Sequence, residues 1–207
     1  MSLLKKNGIS MATKLEADPF IKGLGLVQIE KQPLVYEGDQ FYLVVTGIGK
    51  VKSALATFYL ADHYKIQEMF NLGAAGALRA GCQVGEIKQI NKVVEIDHYL
   101  SPEDQPKFYK PDLFLDFPKA SLVTQDRPAI SLESRKLISF KADLVDMEGA
   151  AFLRACRMAK SKAYIFKIIS DTLEHHDNKT IIKNIKDTSE LMFNFFKEFH
   201  PRIKGKI

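Results

Sequence analysis

The sequence predicts an α/β fold: a single domain, residues 1–207, in which a central, mostly parallel or mixed β-sheet is flanked by helices. Three observations predict it. Runs of β-branched and aromatic residues alternate with segments of helical periodicity along the chain. The 207 residues are 46% hydrophobic, which is enough for one core. No repeat, low-complexity tract or Gly/Ser linker marks a domain boundary.

The elements follow one another in a regular order. QFYLVVTGIG predicts a strand that enters a tight turn, and residues 50–65 have an apolar face at helical spacing. Strands are predicted at EMFNLG and within VGEIKQINKVVEID, and a proline-containing loop over residues 98–118. The remaining predicted elements are the strand ASLVTQ, a helix near SLESRKLIS, the strand ADLVDM, the helix EGAAFLRACRMAK, the strand AYIFKIIS and an amphipathic helix over residues 179–199.

Composition narrows the function classes. The net charge is +5, but the lysines are dispersed and the densest basic run, HPRIKGKI, ends the chain, so nucleic-acid binding is not expected. The apolar stretches are far shorter than the roughly 20 residues that span a bilayer. The opening segment MSLLKKNGIS lacks the apolar region of a signal peptide. We therefore expect a cytoplasmic protein without a membrane partner.

Cysteine and histidine do not predict a metal site. Cys82 and Cys156 lie far apart, and each is interpreted as a buried structural thiol. His175 and His176 are adjacent but lack a third ligand at suitable spacing, so a helix cap by Asp177 is favoured over metal binding.

Because ligands of such sheets bind beyond the carboxyl ends of strands, the strand ends are where functional residues are sought. TGIGKVKSA lacks the GxxxxGK[ST] spacing, so a nucleoside triphosphate site is not expected. In NLGAAGAL, Gly73 and Gly76 allow the backbone to approach a ligand closely. Tight packing against a neighbouring element explains these glycines equally well.

Two further strand ends carry acids. In VDMEGAA, Asp146 and Glu148 stand where a strand meets a helix. Either could cap the helix, or a carboxylate could accept hydrogen bonds from a vicinal diol while Met147 covers an apolar ring. In KIISD, Asp171 follows Ser170 and is either an N-cap or an acid that faces the same crevice as Glu148.

These segments together resemble a known family. VVTGIGKVKSALA, NLGAAGALRAGCQVGEI, VDMEGAAFLRAC and KIISDT look like the sequence blocks of the purine nucleoside phosphorylase/nucleosidase superfamily, in the same order. The closest likeness is to the methylthioadenosine/S-adenosylhomocysteine nucleosidases and the futalosine hydrolases, from about Ile9 to Phe199. The resemblance implies hydrolysis of the N-glycosidic bond of a purine-type nucleoside, possibly 5′-modified, with neither metal nor organic cofactor.

The resemblance also implies residue roles. Glu16, in GISMATKLEADPF, would activate water, although without the family it would be an ordinary first-turn helix acid. Asp171 would protonate the purine at N7, which burial beside another carboxylate would favour. Glu148 would hold the ribose hydroxyls and stabilise a cationic sugar. The implied substrate-binding residues are Met147, Asp146, Ser170, Gly73, Ala74, Pro128, Ala129 and Phe108.

The chain departs from the phosphorylases of this superfamily. These have an arginine shortly before a Gly-Ser block, whereas EMFNLGAAG has neither residue and places Ala74 where a hydroxyl is expected. Water is therefore favoured over phosphate as the acceptor. Two alternatives stay open: a phosphorylase that uses Lys50 or Arg79 to bind phosphate, and a non-catalytic nucleoside-binding protein of the same fold.

The base-binding loop also departs from the family. TQDRPAI places Arg127, Pro128 and Ala129 where adenine-specific nucleosidases have a stacking phenylalanine. Stacking could come from Arg127, or from Phe108 and Tyr109 in the long loop, and the sequence leaves the nucleoside and its 5′ substituent open. Because family members complete their pocket with a neighbour's loop, we expect a homodimer in which the segment at Phe108 and Tyr109 contributes.

Overall fold

The structure, a computed structural model, describes residues 6–97, 108–114, 116–174 and 178–200. Strands and helices alternate along most of the chain, as the sequence predicts. The strands are β1 Asn7–Met11, β2 Val27–Lys31, β3 Leu34–Glu37, β4 Phe41–Val45, β5 Glu68–Ala77, β6 Ile87–Glu95, β7 Phe108–Tyr109, β8 Lys119–Thr124, β9 Leu144–Asp146 and β10 Lys162–Asp171. The helices are α1 Lys14–Gly23, α2 Lys50–His63, α3 Leu132–Ile138, α4 Gly149–Met158 and α5 Asn178–Phe199.

Within these ranges, ten strands form one mixed sheet in the order β10-β6-β8-β9-β5-β1-β4-β3-β2, with β7 beside β6. β5 also pairs with β10, so β10, β6, β8, β9 and β5 close into a ring from which the other strands extend. β1 is parallel to β4 and β5, and β5 is parallel to β10. The carboxyl ends of these four strands therefore lie at one edge, where a ligand site is expected.

Helices cover both faces of the sheet. On one face, Leu60 of α2 and Phe152 of α4 pack in the core cluster that contains Ile165 of β10. On the other face, Phe20 of α1 and Phe196 of α5 pack in a second cluster, which is rich in phenylalanine. Strands β5 and β10 send alternate residues into the two clusters because successive side chains of a strand point to opposite faces. This double burial gives both strands their nearly continuous apolar sequence.

Most predicted elements are confirmed, and the differences have identifiable causes. β2 and β3, in the segment 27–37, were not predicted because both are short, and β2 is almost entirely exposed although VQIE alternates apolar and polar residues. β5 continues through Gly73 and Gly76 to Ala77, past the predicted end. These glycines do not mark a turn; they leave room for the carboxylates of Glu16 and Asp171. The predicted loop 98–118 contains the short strand β7, and residues 98–107 lie outside the described ranges.

The two thiols differ in burial. Cys156 is buried, as predicted, and burial raises the pKa of its thiol. Cys82 was also predicted to be buried, but its side chain is only partly buried. None of the described helices combines the length and apolar character required to cross a membrane.

Candidate active site

A pocket of about 170 Å³, open to solvent, lies at the carboxyl ends of β1, β5, β9 and β10. Its position is the one that the strand topology predicts. Nine of the eleven residues that the resemblance singles out line it, so side chains from distant parts of the sequence meet in one cavity. These nine are Glu16, Ala74, Pro128, Ala129, Asp146, Met147, Glu148, Ser170 and Asp171.

Glu16 is both a helix-capping residue and a pocket residue. Thr13, the N-cap of α1, accepts a hydrogen bond from the Glu16 backbone N–H, and Glu16 Oε2 accepts from Thr13 N at 3.0 Å and Thr13 Oγ1 at 2.7 Å. Oε1 accepts from Ala74 N at 3.0 Å. A Cβ at Gly73 would lie 2.8 Å from Oε1. Gly73 therefore makes room for Glu16 and does not line the pocket, which corrects its predicted role as a substrate contact.

The two acids at the start of α4 divide the roles that the sequence left open. Asp146 caps the helix: its Oδ2 accepts from Gly149 N at 2.8 Å, and its Oδ1 accepts from Thr124 Oγ1 at 2.7 Å. Glu148 occupies the N-cap position, but its side chain makes no capping bond. Its Oε1 instead accepts from Gly49 N, 2.9 Å away across the pocket. Glu148 is therefore available to a ligand, and helix capping does not explain its presence.

A buried lysine compensates the carboxylates. Lys167 in β10 is 2% exposed, and its Nζ lies 2.9 Å from Asp146 Oδ2. Burial alone would lower the pKa of Lys167, but Asp146, Glu148 and Glu16 together raise it, so the side chain is a cation. Burial and the Asp146 charge raise the pKa of Glu148 from 4.5 to about 7, against the opposing effects of Lys167 and the Gly49 N–H. Glu148 thus titrates near neutral pH.

Asp171 ends β10 at an irregularity in the strand. The register between β10 and β5 shifts between Ile169 and Asp171, as in a β-bulge, and such a bulge re-aims side chains at a strand end. Ser170 Oγ donates to Asp171 Oδ1 at 2.5 Å. A Cβ at Gly76 would lie 2.7 Å from Asp171 Oδ2, so this glycine makes room for the second acid as Gly73 does for the first.

The immediate partner of Asp171 is Arg135 of α3, which is 1% exposed and lines the pocket. Arg135 Nη2 donates to Asp171 Oδ2 in a buried ion pair. Nη1 donates to the carbonyls of Ala77 and Thr172, and Nε donates to the carbonyl of Ala129 at 2.8 Å. The expectation that a second carboxylate would adjoin Asp171 is wrong, because the Arg135 guanidinium occupies that place.

The base-binding loop is only partly as predicted. Arg127, Pro128, Ala129 and Met147 all line the pocket. Phe108 does not line it: its ring is 54% exposed and lies beside the Lys92 ammonium, 5.0 Å away. Stacking by Phe108 within its own chain is therefore not supported, because β7 pairs with β6 away from the pocket.

The cations that were considered for phosphate binding are engaged elsewhere. Lys50 Nζ lies 2.8 Å from Glu95 and 2.6 Å from Asp97. Arg79 Nε lies 2.6 Å from Asp143. Neither lines the pocket. These three ion pairs compensate the positive charges of Lys50 and Arg79, which would otherwise attract a phosphate.

Sequence reasoning missed Arg135 and Lys167. Lys167 left a signal, since it is a charged residue inside the apolar run YIFKIIS of a buried strand. The sequence gives no indication that Arg135 is buried, because a helix such as SLESRKLIS normally exposes its basic residues. The apolar wall formed by Ile48, Ile181 and Ile185 was also missed, since these residues come from a turn and from α5.

The described ranges contain no group of three or more His, Cys, Asp or Glu side chains placed to hold a metal ion. His175, His176 and Asp177, for which a helix cap was predicted, lie outside those ranges.

Comparison with known proteins agrees with this geometry. The chain is 24% identical to an aminodeoxyfutalosine nucleosidase of Helicobacter pylori, over 94% of this chain and 97% of that protein. It is 31% identical to a futalosine hydrolase of Thermus thermophilus, over 70% of this chain and 73% of that protein. A solved 5′-methylthioadenosine nucleosidase of Arabidopsis thaliana superposes with a TM-score of 0.86 at 20% identity, covering 99% of this chain and 98% of that one. The family model described as the phosphorylase superfamily matches residues 31–129 and 123–200, and the chain belongs to this superfamily.

Proposed function

We propose that this protein hydrolyses the N-glycosidic bond of a purine-type nucleoside. The observation that carries the proposal is the convergence of three buried carboxylates, Glu16, Glu148 and Asp171, on one pocket, each held by its own donors. The names of the relatives, which are nucleosidases and a futalosine hydrolase, support the same reaction. In this reaction the ribosyl ring becomes cationic as the base departs, and water attacks its anomeric carbon.

Glu148 binds the ribose in this mechanism. One carboxylate oxygen is anchored on Gly49 N, and the remaining acceptor sites can take hydrogen bonds from two ribose hydroxyls. The negative charge of this buried carboxylate stabilises the cationic sugar of the transition state. Because its pKa is raised to about 7, we expect activity to require deprotonation of Glu148 and to rise as the pH passes through 7.

Glu16 orients and deprotonates the attacking water. Hydrogen bonds from Thr13 and from Ala74 N fix both oxygens and leave acceptor sites for water. A base held in this way loses little freedom when it reacts, which is how a positioned general base accelerates proton transfer.

Asp171 supplies the proton to purine N7. Once the proton has left, Ser170 and Arg135 both donate to the resulting carboxylate, so the ionised product state is stabilised. The same two donors hold the carboxyl group in position for proton transfer to a base that departs with substantial negative charge.

Water is the preferred acceptor on electrostatic grounds. Bound phosphate needs charge-assisted donors, and of the two pocket-lining arginines, Arg127 and Arg135, the second is already paired with Asp171. Lys167 is paired with Asp146 beneath the pocket. The ionised carboxylates of Glu16 and Glu148 would in addition repel a phosphate dianion.

The direct test is base release from a panel of purine nucleosides, followed by HPLC with and without phosphate. We expect free ribose-type sugar and phosphate-independent rates, and Glu148→Gln or Asp171→Asn should lower kcat. The exposed Glu133→Gln serves as a matched control and should not change it. Phosphate-dependent formation of a sugar 1-phosphate would establish a phosphorylase instead, and nucleoside binding without base release would establish a binding protein.

We also propose that the protein acts as a homodimer. Ile48, which lines the pocket, and Val51 and Leu55 of α2 are between 53% and 70% exposed. Phe108 is likewise exposed, so it is free to contact a neighbouring chain. Sedimentation velocity should show a dimer; a fully active monomer would contradict this proposal.

A further inference from the structure

The end of the pocket that would hold the base contains an unusually fixed cation. Arg135 has five N–H donors, and four hydrogen bonds to described residues account for four of them. The remaining N–H belongs to Nη2, the same nitrogen that contacts Asp171. Nη2 also adjoins the open side of Gly76, where an added Cβ would lie only 3.3 Å from it. An arginine held by four bonds directs its last donor with little freedom.

The structure of the purine determines which of its atoms would contact the remaining Nη2 N–H of Arg135. If Asp171 faces N7, as the proposed function requires, the substituent on C6 lies next to N7 on the same edge of the base. Arg135, bound to Asp171, is therefore the protein group adjacent to C6. A guanidinium has donors only, so it pairs with an acceptor and leaves a donor unpaired.

A 6-amino group would be poorly accommodated at this position. Its N–H donors would meet the remaining Nη2 N–H donor against donor, and the Ala129 carbonyl and Asp171 Oδ2 already share one lone pair each with Arg135. A 6-oxo group has the opposite character and can accept the remaining Nη2 N–H. Unpaired buried donors cost free energy, so the two substituents should differ appreciably in binding.

We propose that Arg135 is a specificity-determining residue that selects 6-oxopurine nucleosides, of the inosine type, over 6-aminopurine nucleosides. This inference rests on the proposed function, and it names the class of base that the same pocket takes.

The charge that develops on the departing base also favours a 6-oxo group at C6. When the bond between C1′ and N9 breaks, its electron pair moves onto the base, while the water oxygen bonds to C1′ and gives a proton to Glu16. Asp171 transfers its proton to N7. A 6-oxo group draws part of the departing charge onto its oxygen, beside the Arg135 guanidinium, where it is stabilised in the transition state.

The test uses two nucleosides that differ only at C6, 5′-methylthioinosine and 5′-methylthioadenosine. We expect kcat/KM to be about 10- to 100-fold higher for the inosine derivative, the range set by one unsatisfied buried donor. Arg135→Met should bring the ratio close to one, and Arg135→Lys should retain part of the preference through its charge. The control Arg154→Met changes an exposed arginine of α4 and should leave the ratio unchanged. A wild-type ratio of one or below would overturn the inference and leave the hydrolase intact.

A binding measurement separates this inference from the proposed function. Isothermal titration of the wild-type protein with hypoxanthine and with adenine needs no turnover and no folded variant. Tighter binding of hypoxanthine supports the inference even if neither nucleoside is cleaved, in which case only the hydrolase proposal fails. Equal binding, tighter binding of adenine, or no binding of either base would overturn the inference.

Discussion

Replacing Glu148 by Gln should stabilise the fold at alkaline pH while it damages the site. Burial and the Asp146 charge raise the pKa of Glu148 from 4.5 to about 7. Between these values the folded state holds a proton that the unfolded chain has released, so the free energy of unfolding falls as the pH rises. Glutamine does not ionise, and its amide oxygen can still accept from Gly49 N.

The magnitude follows from the pKa difference. One pKa unit corresponds to about 1.4 kcal/mol, so the ionised Glu148 lowers the free energy of unfolding by about 3 kcal/mol at pH 8. Most of this loss, about 2–3 kcal/mol, develops between pH 5 and pH 8. Lost packing or hydrogen bonding in Glu148→Gln adds an offset that is the same at every pH. The change in the stability difference with pH therefore isolates the titration of Glu148.

The assay is urea unfolding of both proteins at half-unit pH steps from 5 to 8, followed by far-UV circular dichroism because the chain has no tryptophan. Glu148→Gln should gain about 2–3 kcal/mol relative to wild type across this range. Glu86→Gln is a control whose effect has the opposite sign. A hydrogen bond from Lys88 lowers the pKa of Glu86, so the ionised carboxylate stabilises the fold above the usual carboxyl pKa. This substitution should therefore lower the free energy of unfolding by a constant amount from pH 5 to 8. A stability difference for Glu148→Gln that stays constant from pH 5 to 8 would refute the reasoning.

Four further outcomes are expected. Lys167→Gln should move the pH at which kcat/KM is half-maximal upward, because Lys167 lowers the pKa of Glu148; an unchanged pH–rate profile would argue against this coupling. Asp171→Asn should slow nucleosides with poor leaving groups by about 10²- to 10⁴-fold and spare those whose base departs unprotonated, as single-turnover rates would show. Gly76→Ala should lower kcat at least about tenfold with little change in the circular dichroism spectrum, because its Cβ would lie 2.7 Å from Asp171 Oδ2. Glu16→Gln should lower kcat and leave the KM for nucleoside nearly unchanged in steady-state assays, since this acid acts on water.

The sequence by itself determined the order of the elements and the positions of the candidate acids. Hydrophobic periodicity and glycine-bounded runs are local properties, so the strand at QFYLVV and the helix over residues 50–65 could be predicted from short windows. Glu148 and Asp171 were found through short motifs at strand ends, whereas Glu16 was found only through the family resemblance, and the fold brings all three to one pocket.

Only the tertiary structure decided which partner each of these charged residues contacts, because contacts between distant segments leave no pattern in the local sequence. Asp146 and Glu148 are two residues apart, yet Lys167 pairs with the first and Gly49 N binds the second. Whether Asp171 adjoins a carboxylate or a cation depended on the path of α3, a short surface helix whose one buried side chain is Arg135. Charge compensation inside a protein is a property of three-dimensional packing, and here it determined which acid caps a helix, which acid bonds to Gly49 N and which cation pairs with Asp171.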